Sequence, residues 1–148
     1  MAQTLAQAKA LIERLAGYRF RNENILLEAI DTTGLRVAQS NQRLALLGDA
    51  TVKQVLLDEW YPSGSSKGTG NTIISTVGSN DNLATVARNC GLHTCVITHP
   101  GHRGAVSQGT LATMVEAIIG AVYVDSDKNM TAVRAVMSAL EITALPSV

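Results

Sequence analysis

Aromatic rings are nearly missing from this 148-residue chain: one Trp, three Tyr and one Phe, or 3% of residues. A stacking platform for single-stranded nucleic acid needs several exposed rings, so that class is excluded and the core must be aliphatic. Net charge is missing as well, since 12 Lys and Arg balance 12 Asp and Glu. A freestanding binder that grips phosphate by a large basic excess is therefore excluded, although a local basic patch is not. Cysteine is limited to Cys90 and Cys95, too few for a disulfide framework and in keeping with a reducing, intracellular compartment. No apolar run approaches the roughly 18 residues that suggest a membrane span. The stretch Met1 to Ala10 also lacks the apolar run of a secretory leader.

What is present is apolar content, 46% of residues against 16% charged, which fills one domain's core and excludes bulk disorder. Most of it falls at helical spacing. Leu5, Ala8, Leu11, Ile12 and Leu15 predict a first helix closed by Gly17. Asn22 caps a short second helix carrying Ile25, Leu26, Ala29 and Ile30, followed by a loop over residues 32–39. A third helix starts near Ser40 and Asn41. Its apolar set, Leu44, Leu47, Val52, Val55, Leu56 and Trp60, runs almost all round and predicts a buried central helix that Pro62 stops. Residues 62–71 read as a flexible Gly/Ser-rich loop, and one helix or a kinked pair follows from about Thr72 to Asn89, with Gly91 as its cap. Cys90 to Val106 reads as an extended loop. A helix from Ser107 or Thr110 and a last one carrying Met130, Val133, Val136, Met137 and Leu140 complete a single all-α domain over residues 1–148.

Two acids interrupt apolar helices: Asp49 in Leu-Leu-Gly-Asp-Ala and Glu116 in Met-Val-Glu-Ala-Ile-Ile-Gly. Burying a carboxylate costs several kcal/mol unless it is paired, hydrogen-bonded or bound to metal. If their helices pack together, the two could meet and hold a divalent cation such as Mg²⁺. The alternative is that each caps a neighbouring helix or pairs with an arginine such as Arg43 or Arg88.

Four stretches, in order, then carry a family resemblance. Asn41-Gln42-Arg43-Leu44-Ala45-Leu46-Leu47-Gly48-Asp49-Ala50 resembles the signature helix of the ribonuclease III family, usually Asn-Glu-Arg-Leu-Glu-Phe-Leu-Gly-Asp and a small residue. Residues 18–30 resemble the family's opening, residues 78–88 with Gly91 and Leu92 its Val-Ser-Asn-Glu-Asn-Leu-Ala helix, and residues 115–127 its Val-Glu-Ala-Leu-Ile-Gly segment. The resemblance spans about residues 18–127. It implies an all-α endonuclease domain that dimerises, forms a valley across the dimer, and hydrolyses both strands of double-stranded RNA with Mg²⁺, leaving a 5′-phosphate and a 3′-hydroxyl. Clustered carboxylates hold metal ions in such chemistry, and the A-form duplex is read by shape, phosphate and 2′-hydroxyl.

The chain also departs from that pattern. The family's first Glu in the signature helix falls on Gln42 and the second on Ala45, and Thr113 takes the place of an Asp, so two of the four metal-cluster acids are replaced, at Ala45 and Thr113. Asp49 and Glu116 remain as the candidate catalytic and metal-binding residues. Thr69 stands where many members carry a Glu, and Ile74 stands near a usual Arg. Glu28, Asp31 and Asp81 are the nearest substitute acids in sequence. Leu46 replaces a Phe that inserts into the partner subunit, which makes it either a dimer contact or a core leucine. Cys90, His93, Cys95, His99 and His102 match no standard zinc-finger spacing, so surface thiols and imidazoles are expected. Lys67 either touches RNA phosphate or sits in a solvated loop.

The resulting expectation is a homodimeric ribonuclease III-type domain whose activity is weak or lost, a pseudoenzyme of the RNA-processing lineage. One alternative is an active Mg²⁺- or Mn²⁺-dependent endonuclease of double-stranded RNA using Asp49 and Glu116. The other is a structural dimerisation or ribonucleoprotein subunit, like the ribonuclease III-like subunits of mitochondrial ribosomes, or a heterodimer with an intact homologue. Because the chain ends at Val148, no double-stranded RNA-binding domain is expected, and with zero net charge the isolated protein is expected to bind RNA weakly.

Overall fold

The computed structural model describes residues 2–144; Met1 and residues 145–148, the two ends of the expected domain, lie outside the described residues. Seven α-helices follow one another among the described residues: α1 (Ala2–Ala16), α2 (Glu23–Ile30), α3 (Gln42–Ser63), α4 (Lys67–Val77), α5 (Asn80–Cys90), α6 (Gln108–Asp125) and α7 (Met130–Ala139). The all-α expectation is met. The β contact recorded among these residues is an isolated parallel bridge between Asp31 and Ile97.

Local chemistry explains most boundaries. Asn22, Ser66, Ser79, Ser107 and Asn129 each accept a backbone N–H of the first turn they precede, which satisfies a donor that has no partner within the helix. Ser107 rather than Thr110 therefore starts α6. The kinked pair resolves into α4 and α5, separated at Gly78 and Ser79, and Gly91 closes α5 as expected.

Three expectations are corrected. Pro62 lies inside the last turn of α3 instead of stopping it; the helix ends at Gly64, whose φ of 73° is left-handed and whose N–H donates to the Tyr61 carbonyl. Residues 62–71 are mostly helix, because the Trp60 indole donates to the Ser66 carbonyl at 3.0 Å and its ring lies against Gly70, where a β-carbon would come within 2.8 Å of it. Only Gly64 to Ser66 remain between α3 and α4, and Lys67 is the first residue of α4, not part of a mobile loop. Third, the central helix is α6. Leu111, Met114, Val115, Ile118, Ile119 and Val122 are all buried on it, whereas α3 leaves Arg43, Leu46 and Lys53 in solvent. It packs most extensively on α3, then on α5 and α2.

Candidate functional site

The crossing of α3 and α6 has no room for side chains at two places. A β-carbon at Gly48 would lie 1.7 Å from the Glu116 carbonyl oxygen, and one at Gly120 would lie 2.3 Å from the Leu44 carbonyl oxygen. Glycine at both positions lets the backbones touch. Since Asp49 follows Gly48 and Glu116 lies one turn before Gly120, this contact sets the two carboxyl groups opposite each other.

Asp49 and Glu116 are both half-buried and line one open groove of about 480 Å³ with Gln42, Arg43, Ala45, Leu46 and Thr113. The Glu116 carboxyl hydrogen-bonds with Asp49. Burial first, then that hydrogen bond and the Asp49 charge, push its pKa from 4.5 up to about 8, against an opposing pull from Lys53. Lys53 stands one turn along α3, with Nζ 3.0 Å from Asp49 Oδ2. It answers the question of what compensates Asp49, which pairs with neither Arg43 nor Arg88.

The remaining sequence-derived residues sort plainly. Gln42, Ala45 and Thr113 do reach the groove, but the Thr113 hydroxyl donates to the Gly109 carbonyl at 2.9 Å. Glu28 and Asp31 line a separate cavity of about 200 Å³, and Asp31 is committed to Arg36 Nη1 at 2.6 Å. Asp81 accepts from Gln108 Nε2 at 2.6 Å. None of the three joins the acid pair. No group of three or more His, Cys, Asp or Glu side chains among the described residues is placed to hold a metal, including the cysteine and histidine stretch. Its imidazoles are exposed as expected, whereas Cys95 is buried and Cys90 half-buried, and burial pushes both thiols up in pKa, away from reactive thiolate. Leu46 is 76% exposed at the groove's rim, so it is not a core leucine.

A divalent cation does not fit this donor set as it stands. The groove and its edge hold two basic side chains, Arg43 and Lys53, against only two acids, and Ala45 and Thr113 beside them bring no carboxylate. Mg²⁺ is held by ionised carboxylates, waters and substrate phosphates, and charge is what concentrates it.

Sequence reading passed over a second acid. Asp125, buried at the end of α6, accepts from the Tyr18 hydroxyl at 2.6 Å and from the backbone N–H groups of Arg21 and Asn22 at 2.9 and 2.8 Å. These bonds hold its pKa below the usual carboxylate range despite burial, and they fasten the α1–α2 connection to the end of the site helix.

This helical framework is shared with known nuclease domains. Two solved structures of the nuclease domain of Ribonuclease III from Campylobacter jejuni superpose on it. One has a TM-score of 0.79 at 20% identity over 94% of this chain and 97% of that one. The other, described by structural flexibility in a region involved in dimer formation, has a TM-score of 0.78 at 20% identity, covering 88% and 94%. Residues 28–141 match the family described as Ribonuclease-III-like. The chain belongs to that family. Ribonuclease 3 of Shewanella baltica (strain OS185) is 34% identical over 119 residues, 77% of this chain and 52% of the relative. Ribonuclease 3 of Proteus mirabilis (strain HI4320) is 31% identical over 121 residues, 78% and 53%. The chain thus spans about half the length of these curated relatives.

Proposed function

We propose that this is a homodimeric ribonuclease III-type domain of the RNA-processing lineage, acting on double-stranded RNA with hydrolytic power that is weak or lost. One observation carries the reading. Asp49 and Glu116 meet in an open groove whose other two expected acid positions are Ala45 and Thr113. Family enzymes typically depend on divalent metal, and phosphodiester hydrolysis needs metal ions to polarise the phosphate and activate water. A groove short of two carboxylates and edged by Lys53 and Arg43 has little to attract them. The same groove can still take an RNA backbone, because Gln42 and Arg43 offer donors to phosphate and the pattern of such contacts is shape-directed. Dimerisation at the groove's rim is supported by the exposed Leu46, which stands where the family's Phe enters the partner subunit, and by the dimer formation named for one of the similar nuclease domains.

The test is incubation of long, end-labelled duplex RNA with the protein and Mg²⁺ or Mn²⁺, beside the Asp49→Asn, Glu116→Gln double variant. Intact RNA with both proteins, together with a salt-sensitive mobility shift, is expected. Short duplex products made by the wild type and not by the variant would establish instead an active enzyme built on two carboxylates.

A further inference from the structure

We propose that Lys53 is a built-in counter-cation of the Asp49 and Glu116 pair, and that it keeps divalent metal out of the groove. The geometry is direct. Its ammonium lies 3.0 Å from Asp49 Oδ2, and Glu116 faces the same carboxylate from α6. With Arg43 on the groove wall and Lys53 at its edge, two basic side chains stand beside the two acids. The fold therefore needs no ion to hold two facing acids at the glycine crossing of α3 and α6.

A lysine in this place acts differently from a metal. Its charge is single and sits on a flexible stem, with the side chain 48% exposed, so it steadies Asp49 without polarising a phosphate. It also repels an incoming dication across a few ångströms of partly exposed surface, where such interactions remain substantial. Lys53 is thus a determinant of metal affinity that acts through Asp49 and touches no reacting atom.

The inference rests on reading the acid pair as a former metal site, but its test contains no RNA and stands or falls apart from cleavage. Mn²⁺ is titrated calorimetrically into the full chain as wild type, Lys53→Arg, Lys53→Met, Lys53→Gln, and Lys53→Met combined with Asp49→Asn. Wild type and Lys53→Arg are expected to bind Mn²⁺ equally weakly, whereas Lys53→Met binds about tenfold tighter or better, a gain that Asp49→Asn removes. Lys53→Gln carries the same expectation as Lys53→Met and serves if the methionine variant folds poorly. Mn²⁺ affinity unchanged in both neutral variants, or raised equally in Lys53→Arg, overturns the proposal.

Discussion

Gly48 of α3 touches Glu116 of α6 backbone to backbone, so closely that a β-carbon on the glycine would stand 1.7 Å from the Glu116 carbonyl oxygen. The contact joins packing to chemistry, because the acids meet only where the helices do. Gly48→Ala is accordingly expected to destabilise the domain by about 3 kcal/mol or more, at the upper end of overpacking costs. Gly68→Ala supplies the contrast. Its new β-carbon meets nothing closer than Ser66 Oγ at 3.7 Å, and a helical Gly→Ala change gains roughly 0.5–1 kcal/mol. Urea titration of both variants checks the pair, and equal effects would contradict the close approach.

The Asp125 strut gives a second expectation. Asp125→Ala removes the acceptor of three hydrogen bonds that tie residues 18–22 to α6, for a loss of about 2–4 kcal/mol. Tyr18→Phe removes only one of these bonds, leaving the carboxylate held by two backbone N–H groups, and should cost about 1–2 kcal/mol. A Tyr18→Phe loss as large as that of Asp125→Ala would mean that the tyrosine alone fastens the connection.

Much of this architecture is readable from local pattern. Helical spacing and side-chain caps are short-range signals, so α1, α2, α5 and α7 and the caps at Asn22 and Gly91 follow from residues within a turn or two. The α3–α4 connection does not, because Trp60 reaches across to Ser66 and Gly70, and this tertiary contact outweighs the Gly/Ser composition. The two acids are legible as carboxylates interrupting apolar helices, but that they face each other across 67 positions, from Asp49 to Glu116, depends on the packing of α3 on α6, which local pattern leaves open and the family resemblance implies. Lys53 carried a usable signal, an acid and a lysine at i and i+4 on one helix. Asp125 carried none, as its partners stand more than 100 positions away.

The pH dependence of stability has two limbs. Glu116 is raised to about 8 in the fold from 4.5, so the folded protein binds more protons than the unfolded chain between those values. Stability from this group is therefore full below about pH 4.5 and falls as pH rises through about 8. Asp31 and Asp125 are lowered, and what they contribute is present above their ordinary range near 3.8 and lost on further acidification. Melting temperatures from pH 5 to 9 should decline in the wild type and flatten in Glu116→Gln; a wild-type profile with no decline would contradict the buried, Asp49-paired carboxyl.

Dimerisation through the groove face makes Leu46 a contact. Leu46→Glu places a charge on a side chain that is 76% exposed in the single chain, so folding should be unaffected. The dimer dissociation constant, in contrast, should rise about tenfold or more, the scale of an interface hot spot. Circular dichroism checks the fold and sedimentation equilibrium the dissociation constant, and a wild type that stays monomeric at high concentration would contradict this assignment.

The most direct measurement is the rate of duplex RNA cleavage in Mg²⁺ by the wild type and by a variant given back both acids, Ala45→Glu with Thr113→Asp, after circular dichroism has shown each to be folded. The expected result is intact RNA with the wild type and metal-dependent short products with the variant. Wild-type cleavage as fast as the variant's, abolished by Asp49→Asn with Glu116→Gln, would show that two carboxylates suffice and that hydrolytic power was never lost.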